Sequence, residues 1–301
     1  MTDSVMITGA SGFIGSRLAF ALEAAGLPVA RCARSRDVSV RDWRPYDLVW
    51  EALPTDFFQG VSTVVHTAFV PSAARLDSFT INLRAATILT QAADRANVNV
   101  VFISSLAAHD EARSTYGHQK LAIERLMRPR DLIVRPGLVI GAGGIFERLV
   151  AHLRSGKPVP LIDRGRQPLQ TVYIDDLVAS LLVLLRTRTA GTIVLAESPA
   201  VTYRDFFGAL CARLGRRGRF IDMPGAALLA LTSLAQRLNI RLPIERDNVL
   251  GLLEMRFMAP THQRDDLPRI RPYTAGIEAF LRSDVSRNLT DIASNSRVRE
   301  R

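Results

Sequence analysis

Along the first two-thirds of the chain, short apolar runs alternate with longer stretches in which apolar residues recur every three or four positions. The runs SVMIT (4–8), LPVARCA (27–33), STVVHTA (62–68), VNVVFIS (98–104) and DLIVRP (131–136) are candidate strands. Stretches near 13–25, 78–96 and 115–128 carry the helical period between them. Strands separated by helices of this length predict βαβ units and a doubly wound, parallel α/β sheet with helices on both faces. After RPGLVIGAGG the pattern becomes helix-rich, near 145–155, 175–188, 203–214, 225–238 and 246–256, with QTVYI and GTIVLAE interleaved as the last sheet strands. This predicts a smaller C-terminal lobe over 197–281, joined by an insertion near 138–167, and a loose polar tail over 282–301.

Composition narrows the class only a little. At 301 residues, 48% hydrophobic and 23% charged, the chain reads as an ordinary globular protein. Cys32 and Cys211 are too few for a disulfide framework and show no metal-ligand spacing, which points to a reducing compartment, the cytoplasm. No basic region followed by a long apolar run opens the sequence. The most apolar segment, PGAALLALTSLA (224–235), is too short to span a bilayer and reads as a buried helix, with an interfacial role as the alternative. The net charge of +10 comes from arginines spread along the chain, with no basic run interleaved with aromatics, so nucleic acid is not the expected partner. A small-molecule substrate is, and a homodimer is one assembly open to the chain.

Candidate chemistry begins at VMITGASGFIGSRLAFALEAAG, where Gly9, Gly12 and Gly15 stand between a strand and an amphipathic helix. Small residues let the backbone approach a pyrophosphate, and the helix N-terminus offers free N–H groups and a positive dipole end. A second feature is STYGHQK. Of 39 basic residues only Lys120 and Lys157 are lysines, and Lys120 follows Tyr116 by four positions, which on a helix places both on one face.

Together the Gly-x-x-Gly-x-x-Gly loop and Tyr-x-x-x-Lys resemble the short-chain dehydrogenase/reductase superfamily, in particular its extended, NAD-dependent epimerase/dehydratase-like branch and the related atypical members. Further segments match in family order: YDLVWEAL, VVHTAF, INLRAATILTQAA, VFISSLAA, RPGLVIG and VYIDDLVASLL. The resemblance implies a Rossmann dinucleotide-binding domain over 1–196. It implies cofactor contacts at Gly9, Ser11, Gly12, Phe13, Ile14 and Gly15, at Asp47 and Leu48 beside the adenine, and at Thr67, Ala68 and Phe69. It also implies them at Asn82, Ser104, Pro136 and Val139. Tyr116 is implied as the general acid/base, Lys120 as the residue that binds the nicotinamide ribose and holds the tyrosine pKa down, and Ser105 as the group that orients the substrate oxygen. His66 reads as a structural residue at a strand end. The second strand carries Arg31, Arg34 and Arg36 but no acid before Asp37, so NADP is preferred to NAD, with Arg34 as the main contact to the 2′-phosphate.

The sequence departs from the nucleotide-sugar enzymes of that branch. Leu138 stands where they carry a substrate-binding Asn, and Leu169 where an Arg commonly meets the diphosphate. Only eleven positions separate Ser105 from Tyr116, a shorter loop than theirs. The expectation is an oxidoreductase interconverting a secondary alcohol and a carbonyl in an apolar pocket, to which the 225–238 helix could contribute. A nucleotide-sugar epimerase or dehydratase and a non-catalytic dinucleotide-binding subunit are the rivals.

Overall fold

In β1 (Val5–Thr8), Val5 and Ile7 join one apolar cluster while Met6 joins another, as the period of two in a strand requires when both faces of a sheet are covered. The structure is a computed structural model that describes residues 4–35, 40–71, 77–238, 240, 246–261 and 265–284. On the Val5 side lie α1 (Phe13–Ala24) and, later in the chain, α5 (Ile174–Arg186), through Leu18, Leu22, Leu177 and Leu181. On the Met6 side Ile81, Ala85 and Leu89 of α2 (Ser78–Arg95) pack with Val64 and Val100.

The remaining strands of this sheet are β2 (Val29–Ala33), β3 (Trp43–Pro45), β4 (Thr63–His66), β5 (Asn99–Ile103), β6 (Leu132–Pro136) and β11 (Gly191–Leu195). All seven run parallel, in the order β11-β6-β5-β4-β1-β2-β3. The chain moves outward from β1 in one direction and from β4 in the other, so a crevice opens at their carboxyl ends, where ligands bind in such sheets. The helix α3 (Thr115–Glu124) lies between β5 and β6 in sequence and packs on α2.

Beyond β6 the elements are β7 (Leu138–Ile140), α4 (Gly144–Arg154), β8 (Val159–Ile162), β9 (Pro168–Leu169), β10 (Thr171–Tyr173) and α5 (Ile174–Arg186). After β11 come β12 (Val201–Thr202), α6 (Tyr203–Arg213), β13 (Phe220–Met223), α7 (Gly225–Arg237), α8 (Arg246–Leu253) and a last helix over 273–284 (α9). Three two-stranded pairs, β10–β7, β12–β9 and β13–β8, tie the C-terminal segments to the 138–169 region. Asp176 of α5 locks the approach to α9 by accepting from the Arg271 guanidinium at 2.7–3.0 Å and from its backbone N–H.

Four expectations change. QTVYI is β10, which pairs only with β7, because the chain leaves the central sheet at Gly137, whose Cα sits against the Gln170 backbone with no room for a Cβ. The opposite edge gains β3, a three-residue strand with no apolar run to announce it. The third helix ends at Glu124 rather than near 128, since Leu126 and Met127 bond back to carbonyls three residues earlier in a turn. The tail expected to be loose from 282 is helical through 284, where Asp284 pairs with Arg154 at 2.7 Å, and 285–301 lie outside the described residues.

Candidate active site

At the end of β1 the backbone turns at Gly9 with φ +71°, in the region L side chains avoid. A Cβ there would stand 2.8 Å from the Ala68 nitrogen and the Thr67 hydroxyl, and one on Gly15 would stand 2.3 Å from the Gly9 carbonyl. The loop is therefore closed against β4 with its inner surface kept bare. Gly12 begins α1 without a side-chain cap, and no acidic residue occupies the first turn. Free N–H groups and the positive end of the helix are left for an anionic ligand. These residues fit the pyrophosphate of a dinucleotide, and Phe13, Ile14 and Gly15 line the cavity beside the loop.

Ser105, Tyr116 and Lys120 meet on the other side of that cavity. Tyr116 and Lys120 share one face of α3, whose first turn is capped partly from within, by Ser114 accepting from the Gly117 N–H at 3.3 Å. The rest of the cap comes from far along the chain. Glu254 accepts from the N–H groups of Arg113 and Ser114 at 2.8 and 3.0 Å, and Asp247 of α8 accepts from Thr115. Burial pushes the Glu254 carboxyl up, but these N–H groups and the Arg113 guanidinium outweigh it and hold it below its ordinary value. The C-terminal segments thus fix the helix that carries the tyrosine.

Tyr116 keeps 36% of its surface open and stands edge-on to Phe69 at 5.6 Å. Burial of the phenol raises its pKa, and a hydrogen bond with Ser105 lowers it only in part. Lys120, expected to hold it down, is not among the groups that shift it here. The Lys120 ammonium donates instead to the Ile103 carbonyl at 2.9 Å and lies over the rings of Phe69 and Phe102 at 4.3 and 4.8 Å, but 5.9 Å from the Tyr116 ring. Its own burial pulls it down to about 7, against a smaller opposing pull from Glu124. Ser104 also borders the cavity, yet its hydroxyl donates to Glu124 at 2.5 Å, and Glu124 in turn holds Arg135 bidentately. Between the adjacent serines, Ser105 is the one beside Tyr116, and its hydroxyl also accepts from the Ala107 N–H at 3.2 Å. His66 is structural as expected: it pairs with Thr8 at 2.7 Å, and burial lowers it to about 3, so it is neutral.

The cavity has a volume of about 530 Å³ and a mostly apolar wall, with Leu106, Leu138, Leu149, Leu169, Phe207 and Met255 among its residues. Leu138 and Leu169 stand there as the sequence suggests, as do Thr67, Phe69, Pro136 and Val139. The 225–238 helix does not contribute, because its packed face is turned to α8. Sequence reasoning missed His109 and Gln170, which line the cavity together with Arg256. The Gln170 carboxamide is occupied in pinning Met258, and Arg256 pairs with Glu111 at 2.7 Å. Burial first, and then Arg256, hold His109 below its ordinary pKa.

Other residues expected to touch the cofactor lie outside this cavity. Ser11 and Arg34 are exposed, Arg34 just past β2 with no ion pair among the described residues, whereas Arg31 is taken by Glu23 at 2.6 Å. Arg36 and Asp37 lie outside the described residues. Asp47 accepts from the Val49 N–H, and Leu48 and Ala68 pack in the apolar cluster on the α2 face. Asn82 is hydrogen-bonded within the fold. Its carboxamide exchanges two hydrogen bonds with the Val70 backbone and donates to Gln119, which uses both its ends and fixes the loop after β4.

Comparison with known proteins agrees with this geometry. A ceramide reductase of Caulobacter vibrioides is 28% identical over 245 residues, 76% of each chain. Among solved structures, MoeE5 in complex with UDP-glucuronic acid and NAD is 27% identical, with a TM-score of 0.62 over 73% of this chain and 85% of that one. The human epimerase family protein SDR39U1 with NADPH is 21% identical, with a TM-score of 0.73 over 92% of this chain and 98% of that one, and shares the fold. The sequence model of the NAD dependent epimerase/dehydratase family matches residues 5–196. The chain belongs to that family, as an NAD(P)-dependent enzyme of the short-chain dehydrogenase/reductase type.

Proposed function

We propose that the protein reduces a carbonyl to a secondary alcohol on an apolar, long-chain substrate, in the cytoplasm and with NADPH in preference to NADH. The observation that carries this reading is the position of Ser105 and Tyr116 in a cavity walled by leucines, phenylalanine and methionine. A nicotinamide dinucleotide held at the Gly9–Gly15 loop would supply the hydride. Tyr116, kept protonated by burial, gives its proton to the carbonyl oxygen, and Ser105 holds that oxygen by a hydrogen bond. Lys120 anchors the ribose side of the cofactor from the floor of the site. The similarity to a ceramide reductase along three-quarters of each chain supports an amphipathic lipid as the substrate class. Residues 197–281, with the 138–167 segment, are read as the part that shapes its pocket.

A nucleotide-sugar epimerase is the second reading, favoured by the similarity to MoeE5. Leu138 and Leu169 count against it, since neither side chain can donate to a diphosphate and a buried, unpaired anion is costly. Steady-state assays with NADPH and ketones of increasing chain length separate the two. Rates rising with chain length are expected, together with no saturable binding of UDP or dTDP in the micromolar range. Tight binding of either nucleotide would replace the reductase with the epimerase.

Arg34 gives a prediction on the cofactor. As an exposed guanidinium just past β2 with no ion pair among the described residues, it is available to a 2′-phosphate. Arg34→Ala is expected to weaken NADP affinity by about tenfold, the scale of one charge-assisted hydrogen-bonded pair, while leaving NAD affinity unchanged. Calorimetric titration of both cofactors checks this, and equal effects on the two would remove Arg34 from the site.

A further inference from the structure

The helix α7 buries Gly225, Leu228, Thr232 and Ala235 against α8 and β8. Beside that stripe runs a second one that nothing among the described residues covers. Leu231, Leu234 and Leu238 follow one another at spacings of three and four, so they share a face, and they are 52%, 54% and 60% exposed. Ile240 continues it at 54%, and the exposed Ala227 and Ala230 extend it toward the start of the helix. None of these side chains reaches the cavity, so the function proposed above does not use them.

The acids nearest this face are taken, Asp222 by Arg204 and Asp247 by the Thr115 N–H, so the charges left unpaired around it are basic. No acidic residue lies within α7. Arg237 closes the helix and Arg246 opens α8, which packs alongside it. Arg216, Arg217 and Arg219 precede β13 at the other end of the segment. All five are exposed, and none of their side chains has an ion pair or hydrogen bond among the described residues. Leucines and an isoleucine on one face, edged by arginines whose side chains have no partner among the described residues, match a basic amphipathic helix lying in a lipid interface. Among the described residues no helix is long and apolar enough to cross a membrane, so the geometry is that of lying on a surface.

We propose that α7 docks the protein on an anionic lipid surface, with Leu231, Leu234, Leu238 and Ile240 entering the apolar boundary and the flanking arginines meeting the headgroups. This deepens the proposed function and rests on it in one respect: an enzyme with a leucine-walled cavity takes a substrate that resides in membranes, and docking brings the two together.

The test is flotation of the full chain, loaded with NADPH, on vesicles of phosphatidylcholine with about 30% phosphatidylglycerol and on pure phosphatidylcholine, at low and high salt. Binding to the anionic vesicles alone is expected, weakening as salt is raised. The triple substitution Leu231→Ser, Leu234→Ser, Leu238→Ser should lower it by about tenfold or more. Because these side chains are solvent-exposed, NADPH affinity and melting temperature should stay unchanged and report that the variant is folded. Arg237→Glu with Arg246→Glu should give a comparable loss on anionic vesicles by a route independent of the leucines. Absence of flotation, or flotation undiminished in both variants, overturns the proposal. So does sedimentation showing that the leucine variant dissociates a dimer, which would assign the face to a second copy of this chain. The measurement needs no substrate, so vesicle binding without ketone turnover would sink the reductase reading alone, and turnover without vesicle binding would sink this one alone.

Discussion

Tyr116→Phe is expected to lower kcat for carbonyl reduction by about three orders of magnitude, the middle of the range for loss of a positioned general acid. Cofactor affinity should change by less than about threefold, because the substitution removes only the hydroxyl that faces Ser105 and keeps the ring against Phe69. The pH profile supplies a sharper check. Reduction needs the phenol protonated, and a raised pKa keeps it so through the neutral range. The wild-type reductive rate should therefore hold steady across neutral pH and fall only on the alkaline side, as far as Tyr116 governs it. Oxidation of the alcohol needs the phenolate, so its rate should be low near neutrality and climb with pH. Measuring both directions in wild type and variant decides the matter. A variant that keeps the wild-type profile at reduced rate would show that the proton travels by another group.

The elements that could be read in advance were those whose determinants are local. Parallel strands covered on both faces read as continuous apolar runs, so β1, β4, β5 and β6 stood out, whereas β3 is three residues with a proline and offers no run. The glycine loop and the Tyr116–Lys120 spacing are likewise local, and the structure places both on the same cavity. What the spacing did not disclose is where the lysine ends up. A four-residue step puts two side chains on one face, but the Ile103 carbonyl, seventeen positions away, draws the ammonium from the phenol. The cap that Glu254 provides to the start of α3 spans 140 residues and has no signature in either segment. In α7, apolar residues exceed what one buried stripe needs, so periodicity could not separate the packed leucine from the exposed ones.

Lys120→Met should make the protein more stable and nearly inactive. The ammonium is buried between Phe69 and Phe102, and its pKa falls from 10.5 unfolded to about 7 folded. The sign follows from proton binding. Between these values the unfolded chain holds the proton and the folded chain gives it up, so stability rises with pH across this window. Below about pH 7 the folded protein must carry the buried charge, at a full cost on the order of several kcal/mol. Methionine keeps much of the volume without the charge. Against that relief stand the lost hydrogen bond to Ile103, roughly 1 kcal/mol, and the lost attraction of the two rings, on the order of 1–2 kcal/mol. A net gain of about 1–3 kcal/mol near pH 6 remains, which for a chain of this size is a rise of a few degrees in melting temperature. The gain should shrink as pH is raised toward 10, because the wild type then no longer bears the burden. Thermal melts of the two proteins at pH 6 and pH 9, run beside a turnover assay, test both halves. A melting temperature lowered at pH 6 would mean that the lysine stabilises the fold, and that its burial is a structural choice with no catalytic one behind it.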